Sequence, residues 1–590
     1  MKLRQLNLIT WMMMVLLANT CGVYAETAND RMDWFRDAKF GMFVHFQARG
    51  NVGQFNPEDF DAKQWLQTAK DGGVKYLVIT TKHHAGFCIW DSAFTEYDVM
   101  DQTPFKRDIV GELAEACQAT GIRLGCYYSI ADYNHPLYDP KYQNRPERRT
   151  QTVPGADISK YMIYMYDQVE ELCVKYQPSL FWFDGSSGFR PPERKRMLGQ
   201  EDMVNLLHSY GAISNSRLGD DDSMRYVDYV SMGDNMTPPV NVELPFESAI
   251  CMNQGWGYSA RSEDYKPVAE LLERLVKIVG KGGNLLLNIA PSPKGVFHET
   301  AISRFKAMGD WLEQNGEAIY GTEAGPYPFG LNWGSITQRK VGKNTTLYLN
   351  VVDWPEDGSF HLDGLDNEIL NASLLAGGAS LATTSSFDAA AGLKRHTITV
   401  PKTAPDPYVS VIALTVEGDV SMEQVHLQQN DGSVELDGYT ATLHDIEFIP
   451  NKPRRILDFK QFTVPLGGEG ILPAVMLSVG GFNTAGQALS WDFRLIEPGT
   501  YEVAVVSLGT SDSGRFRATV DGQSVENILQ ERERKATIEL PAEREEESLS
   551  VLGKVTINAA GMQTLTLEVA SESTGSAPRI RAVKLLPVSK

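Results

Sequence analysis

The run Ser179–Gly185, read as S-L-F-W-F-D-G, constrains this chain more than any other stretch. It is short and apolar, it is flanked by Pro178 and Gly185, and it ends in a single carboxylate, Asp184. Such a run reads as a strand buried on both faces, as in a parallel sheet. Three more strand-like runs precede it at Lys39–Phe46, Lys75–His84 and Ile122–Ile130. Helical segments separate them: Asp61–Asp71 with Trp65, Leu66 and Ala69 on one face, Ile109–Thr120 with Leu113, Ala116 and Cys117 inward, and the amphipathic Ile158–Tyr176. Strand and helix alternating over short connections is the pattern of parallel βα units. Gly211–Ser214, Tyr226–Ser231, Glu247–Met252 and Gly283–Ala290 continue it as strands five to eight, with helices at Ser262–Gly280 and Glu299–Asn315. The fold class expected is α/β, a (β/α)8-like, TIM-type catalytic barrel.

Around Gly321–Gly330 the pattern changes. From Ser335 to Glu417 the chain runs in short alternating strands, such as Thr346–Val352 and Val409–Val416, which predicts a small β-sandwich. After Gly418 a second strand-rich region includes Gly499–Val505, Gly514–Val520 and Met562–Val569, as in a jelly roll. The expected organisation is a signal peptide over 1–25, the barrel over 26–330, a β-sandwich over 331–417, and a jelly-roll-like candidate carbohydrate-binding domain over 418–590.

The start of the chain carries a targeting signal. Lys2 and Arg4 precede the apolar stretch Leu8–Ala18, and Val23-Tyr24-Ala25 offers small residues for a signal peptidase. Cleavage is expected after Ala25, giving a secreted or periplasmic protein. Cys21 raises a lipoprotein alternative, which Ala18-Asn19-Thr20 disfavours because it lacks the Leu usual three residues before a lipidated cysteine. No later apolar run approaches the roughly 20 residues that span a bilayer. A net charge of -20 argues against nucleic acid and against an anionic membrane as partner, since both call for a basic face. Beyond Cys21, the cysteines Cys88, Cys117, Cys126, Cys173 and Cys251 have irregular spacing and form no CxxC pair. They read as buried thiols, with one disulfide as the alternative.

Function is expected where the strands end. His45, the pair His83 and His84, Tyr127 and Asp184 all fall at the same end of successive strands. In a parallel barrel those ends share one rim, so groups distant in sequence converge there. Convergence favours a catalytic Asp184 over one that caps a helix or closes a turn. On strict strand alternation, only one of His83 and His84 faces the mouth. The two cannot share one ion as strand neighbours, and no carboxylate stands at ligand spacing, so no metal is expected. No other cofactor is implied.

The ordered motifs W-F-R-D-A-K-F-G-M-F-V-H, Y-L-V-I-T-T-K-H-H-A-G-F-C-I-W-D-S, P-F-K-R-D-I-V-G-E-L, G-C-Y-Y-S, W-F-D-G, W-G-Y, G-G-N-L-L-L-N-I-A-P and N-G-E-A-I-Y-G-T cover about Trp34 to Thr322. In that order they resemble glycoside hydrolase family 29, the α-L-fucosidases. The resemblance implies a retaining exo-glycosidase that releases terminal α-L-fucose from a fucosylated oligosaccharide or glycoconjugate. Such chemistry uses two carboxyls about 5–5.5 Å apart. Asp184 matches the family's nucleophile. Glu247, ahead of C-M-N-Q-G-W-G-Y, is the preferred match for the acid/base and Asp234 the alternative, although Gly233 stands where a Glu is common. His45, His83, His84, Trp90, Tyr127, Arg217 and Trp256 match substrate-binding positions, and His135, in N-H-P, is a further pocket candidate. Phe46-Gln47 departs from the Trp-Gly often found after the first histidine.

Two other readings fit these residues: a same-fold glycosidase of altered specificity, and a catalytically silent secreted carbohydrate-binding protein. Retention of Asp184 with two acidic candidates speaks against silence. No G-x-S-x-G elbow and no phosphate-binding G-x-x-x-x-G-K-[ST] loop is present.

Overall fold

The computed structural model describes residues 28–48, 50–139, 153–186, 199–218, 226–260, 264–444, 464–465, 471–472, 484–508, 515–529, 547–571 and 579–588. The expected signal peptide 1–25, with Cys21, and the first residues of the helix expected from Ser262 lie outside them. Contacts divide the chain into two compact units. One holds the chain up to Ser231 with Ala249–Lys266 and Leu286–Asp310; the other holds Met232–Ser248, Pro267–Leu285 and the chain from Trp311.

The strands β1 (Phe40–Val44), β2 (Tyr76–Lys82), β3 (Arg123–Ser129), β4 (Leu180–Asp184), β5 (Ile213–Ser214), β6 (Val230–Ser231), β7 (Phe246–Cys251) and β8 (Asn284–Ile289) form one sheet in the order β5-β4-β3-β2-β1-β8-β7-β6. The register is parallel from β1 to β5, through Gly41↔Tyr76, Tyr76↔Arg123, Gly125↔Leu180 and Leu180↔Ile213. Past the end of β1, the His45 N–H donates to the Ile289 carbonyl at 3.1 Å. A parallel bridge between Asn215 and Tyr229 joins the two ends of the path. The expected (β/α)8-like barrel is therefore what the chain forms, with strands five and six reduced to two residues each.

Local sequence explains the helices between strands. α1 (Ile109–Thr120) starts where the Asp108 carboxylate accepts the Gly111 N–H, and stops at Gly121, whose φ of 74° suits a residue without a Cβ. α2 (Ile158–Tyr176) is capped by Asp157 in the same way. The expected helix at Ser262 begins at Val268 instead, directly after Pro267, because proline pre-sets the first helical turn and restricts the residue before it.

Large side chains fill the barrel. Phe43, Tyr76, Val78, Tyr127, Leu180, Trp182, Ile213, Tyr229, Ala249 and Leu286 share one buried cluster. Gly41 is required beside it, since a Cβ there would lie 2.4 Å from the Tyr76 ring. The strand-start end of the barrel is plugged by a helix over Ala28–Ala38 that sequence patterning did not predict. Its Met32 and Phe35 join the cluster, with the Phe35 ring 4.4 Å from that of Tyr229. The opposite end, where the strands finish, is lined by polar side chains.

The second unit contains two all-β cores. One is built around Trp333, Leu347, Leu349, Phe360, Ile398 and Ile412, between a five-stranded and a three-stranded sheet. The other gathers Trp491, Phe493, Tyr501, Val503, Phe516, Leu565 and Val583, between a six-stranded and a four-stranded sheet. Cys88, Cys117, Cys126, Cys173 and Cys251 are buried free thiols. Among the described residues no helix is long and apolar enough to cross a membrane.

Candidate active site

Alternation along β4 turns Leu180, Trp182 and Asp184 into the barrel, and Asp184 is the last of the three. The strand tip is held firmly. The Asn215 amide, directly after β5, clamps it, donating to the Phe183 carbonyl at 3.1 Å while its Oδ1 accepts the Phe183 N–H at 2.9 Å. On the β3 side, the Ile130 N–H donates to the Asp184 carbonyl at 2.8 Å.

Three side chains converge on the Asp184 carboxylate. The Tyr127 hydroxyl donates to Oδ2 at 3.0 Å, His84 Nε2 lies 3.6 Å from the same oxygen, and Arg217 Nη1 lies 3.7 Å from Oδ1. Burial alone raises a carboxyl pKa, yet here the outcome is below the usual value, because His84, Arg217, the Gly185 backbone N–H and His83 favour the charged form. The aspartate is thus held ionised, and its side chain keeps 27% of its surface open to the mouth. An ionised, accessible carboxylate is what a nucleophile requires.

Aromatic stacking fixes the surrounding groups. The His83 ring stacks on Tyr127 at 5.4 Å and Tyr127 on Trp182 at 5.6 Å, and the Arg217 guanidinium sits 4.5 Å over the Trp182 ring. Arg217 Nε donates to the Ser231 hydroxyl at 3.0 Å, which orients its fork. His45 Nδ1 lies 2.6 Å from Asn288 Oδ1, and the Asn288 Nδ2 donates to the Trp256 carbonyl. The Trp256 ring stands 5.2 Å from His45. One amide thereby ties the Gly-Trp-Gly loop to the tip of β1.

His45, His83, His84, Tyr127, Asp184, Arg217 and Trp256 are accordingly brought together. The expectation that alternation would turn one histidine of the pair away does not hold. β2 ends at Lys82 after a register shift between Thr80 and Lys82, so both histidines lie beyond the strand, with their rings 4.3 Å apart. Gly86, at φ 78°, turns this loop where a Cβ would strike the Asp132 carboxylate.

Trp90 is not a pocket residue. It is fully buried and its indole N–H donates to Glu171 Oε2 at 3.0 Å, so no substrate can touch it. His135 is engaged with α2, its ring stacked 4.3 Å from Tyr164, while its Nδ1 accepts the Leu137 N–H. Glu247 is the second residue of β7 and has no exposed surface, and its backbone carbonyl accepts the Met232 N–H at 2.8 Å. Asp234 is half-buried in the loop that follows β6, next to Asn235 at φ 59°.

Ser129, Trp182 and Asn288 were missed as site residues. Each sits at or near a strand end inside a motif, and Asn288 breaks a run of three leucines, which is the available signal. Among the described residues no three His, Cys, Asp or Glu side chains group as metal ligands.

A family model for alpha-L-fucosidase matches residues 49–317. Alpha-L-fucosidase isoenzyme 1 from Paenibacillus thiaminolyticus is 31% identical, with 66% of this chain and 100% of that one covered and a TM-score of 0.59. The chain belongs to the alpha-L-fucosidase family. Another member, a family 29 alpha-L-fucosidase of Bacteroides thetaiotaomicron, is 27% identical over 66% of this chain and 96% of its own, with a TM-score of 0.56. It was solved as a covalent intermediate trapped with 2-fluoro-fucosyl fluoride in a glutamate-to-glutamine mutant. The alpha-L-fucosidase of Vibrio sp. strain EJY3 shares the fold over 96% of this chain and 99% of its own, with a TM-score of 0.73 at 23% identity. In this alpha-L-fucosidase an eight-stranded barrel sheet precedes, in chain order, the strand-rich region that holds the two all-β cores.

Proposed function

We propose that this alpha-L-fucosidase acts by double displacement on terminal α-L-fucosyl residues of glycans, with Asp184 as nucleophile and Asp234 as acid/base. The observation that carries the reading is the ionised Asp184 held among His84, Tyr127 and Arg217 at the open end of the barrel. In the first step Asp184 attacks the anomeric carbon as the glycosidic C–O bond breaks, and the acid gives its proton to the leaving oxygen. In the second, the same residue takes a proton from water as the water oxygen displaces Asp184. His45, His83 and the Trp256 loop line the mouth as the groups that bind sugar hydroxyls and the apolar face of the ring.

Asp234 is preferred over Glu247 on position. A residue four places before the end of a strand lies on the order of 13 Å below its tip, at about 3.3 Å per residue. Glu247 is such a residue, and it is sealed from solvent. Asp234 follows β6 in a loop and is partly open.

Azide rescue tests the whole assignment by counting inversions. An acid/base variant still forms the glycosyl-enzyme, so azide in place of water gives α-L-fucosyl azide after two inversions. A nucleophile variant reacts with azide once and gives the β anomer. The expected products are α from Asp234→Ala, β from Asp184→Gly, and no rescue of Glu247→Ala; α-azide from Glu247→Ala would return the acid/base role to Glu247.

We also infer export, on the charged start, apolar stretch and small residues before Glu26. Edman sequencing of the mature protein should begin at Glu26.

A further inference from the structure

Ser129, the last residue of β3, is fully buried and makes two short contacts. Its Oγ lies 2.7 Å from the Ala131 carbonyl and 2.6 Å from His84 Nδ1. A hydroxyl has one hydrogen to give, and a carbonyl oxygen has none. The contact to Ala131 therefore consumes the Ser129 hydrogen, and the contact to His84 must be filled from the histidine side. Nδ1 carries a hydrogen and Ser129 Oγ accepts it.

That leaves Nε2 as the nitrogen toward Asp184, 3.6 Å from Oδ2. A bare Nε2 would set a lone pair against an ionised carboxylate. With Nδ1 already protonated, the ring can offer a hydrogen to Asp184 only by carrying two, that is, as imidazolium. We propose that Ser129 is a positioning residue that locks His84 in its Nδ1–H form, so that the ring meets Asp184 as a cation and not as a neutral donor. This deepens the reading of Asp184 as nucleophile and rests on it. In the absence of Ser129 the neutral ring could move its hydrogen to Nε2, turn that hydrogen toward Asp184, and contribute no charge.

The groups around the pair are consistent with that role. Asp184 also faces Tyr127 on β3 and Arg217 after β5, and His84 faces His83 and, at 5.7 Å, the ring of Tyr133. Lys82, immediately before the histidines, turns away. Its ammonium is fully buried at 3.5 Å from Asp132 and 3.2 Å from the Tyr161 hydroxyl, so it does not supply the charge at Asp184.

The test is nitrogen NMR on the full chain labelled with 15N-histidine, unliganded and near neutral pH, with His84 assigned by its loss in His84→Asn. The expected spectrum has both Nδ1 and Nε2 of His84 protonated in the wild type, and an Nδ1 no longer held protonated in Ser129→Ala. The same variant should shift the lower limb of the kcat/KM profile to higher pH by roughly half a unit to one unit, a threefold to tenfold loss on that limb. A wild-type His84 with either ring nitrogen unprotonated overturns the proposal, as does a Ser129→Ala enzyme with an unmoved lower limb. The wild-type spectrum decides even if the variant fails to fold. It needs no turnover, so it stands apart from the nucleophile assignment, which falls separately if Asp184→Ala keeps its activity.

Discussion

Tyr127 donates its phenolic hydrogen to Oδ2 of Asp184 across 3.0 Å, linking the tips of two neighbouring strands inside the barrel. The bond leaves Oδ1 as the carboxylate oxygen nearest Arg217. Hydrogen bonds to charged groups contribute about 1.5–3 kcal/mol. Tyr127→Phe keeps the stack with His83 and Trp182 and should lower kcat/KM about 10- to 100-fold on an aryl α-L-fucoside. A loss below twofold would show that the bond does not matter to the reaction.

Arg217 supplies positive charge at the other oxygen, and its removal should be legible in pH. Nearby cations hold the Asp184 pKa below its usual value, so taking one away raises it. Activity that depends on the carboxylate is present above that pKa and lost as pH falls through it. Arg217→Met should therefore lose activity at a higher pH than wild type on the acid side, with kcat/KM down on the order of a hundredfold at the plateau. A pH–rate profile checks both.

Trp90 and Glu171 form a structural pair, and their variants should separate stability from catalysis. Glu171 is almost fully buried and accepts the Trp90 indole, the Ser92 hydroxyl and the Ala93 N–H, with Lys175 at 3.0 Å. Trp90→Phe should cost about 1–3 kcal/mol by leaving a buried acceptor short of a donor, with KM unchanged. Trp256→Ala should do the reverse, raising KM with little change in stability. Denaturant unfolding and steady-state kinetics on the two variants measure this.

The plug at the strand-start end should matter only for stability. Phe35 is buried against Tyr229 and Tyr76, far along the barrel from the Asp184 tip. Phe35→Ala should destabilise by about 3–5 kcal/mol, while the enzyme that remains folded keeps its kcat.

The barrel was legible because its pattern is local. Apolar runs and one-sided helical faces mark β and α units one after another, and the rim follows from parallel strands. The plug was not legible, because Ala28–Ala38 is polar on most sides and is defined by what it enters. Trp90 illustrates a different limit: its motif neighbours the pocket residues, but a carboxylate 81 positions later in the chain decides where the indole points. His83 and His84 both reach the mouth because a register shift ended the strand early, which no residue pattern announced. Ser129 and Asn288 act through the histidines they touch, and such pairings appear only once β3 and β8 stand beside their partners.

The central claim is that the Asp184 carboxylate bonds to the sugar during turnover. Incubating the enzyme with 2-fluoro-fucosyl fluoride and mapping tryptic peptides by mass spectrometry tests it directly. The account predicts one fluoro-fucosyl group on the peptide that begins at Tyr176, located by fragmentation to Asp184. A label on any other residue, or rapid turnover by Asp184→Ala, would contradict it.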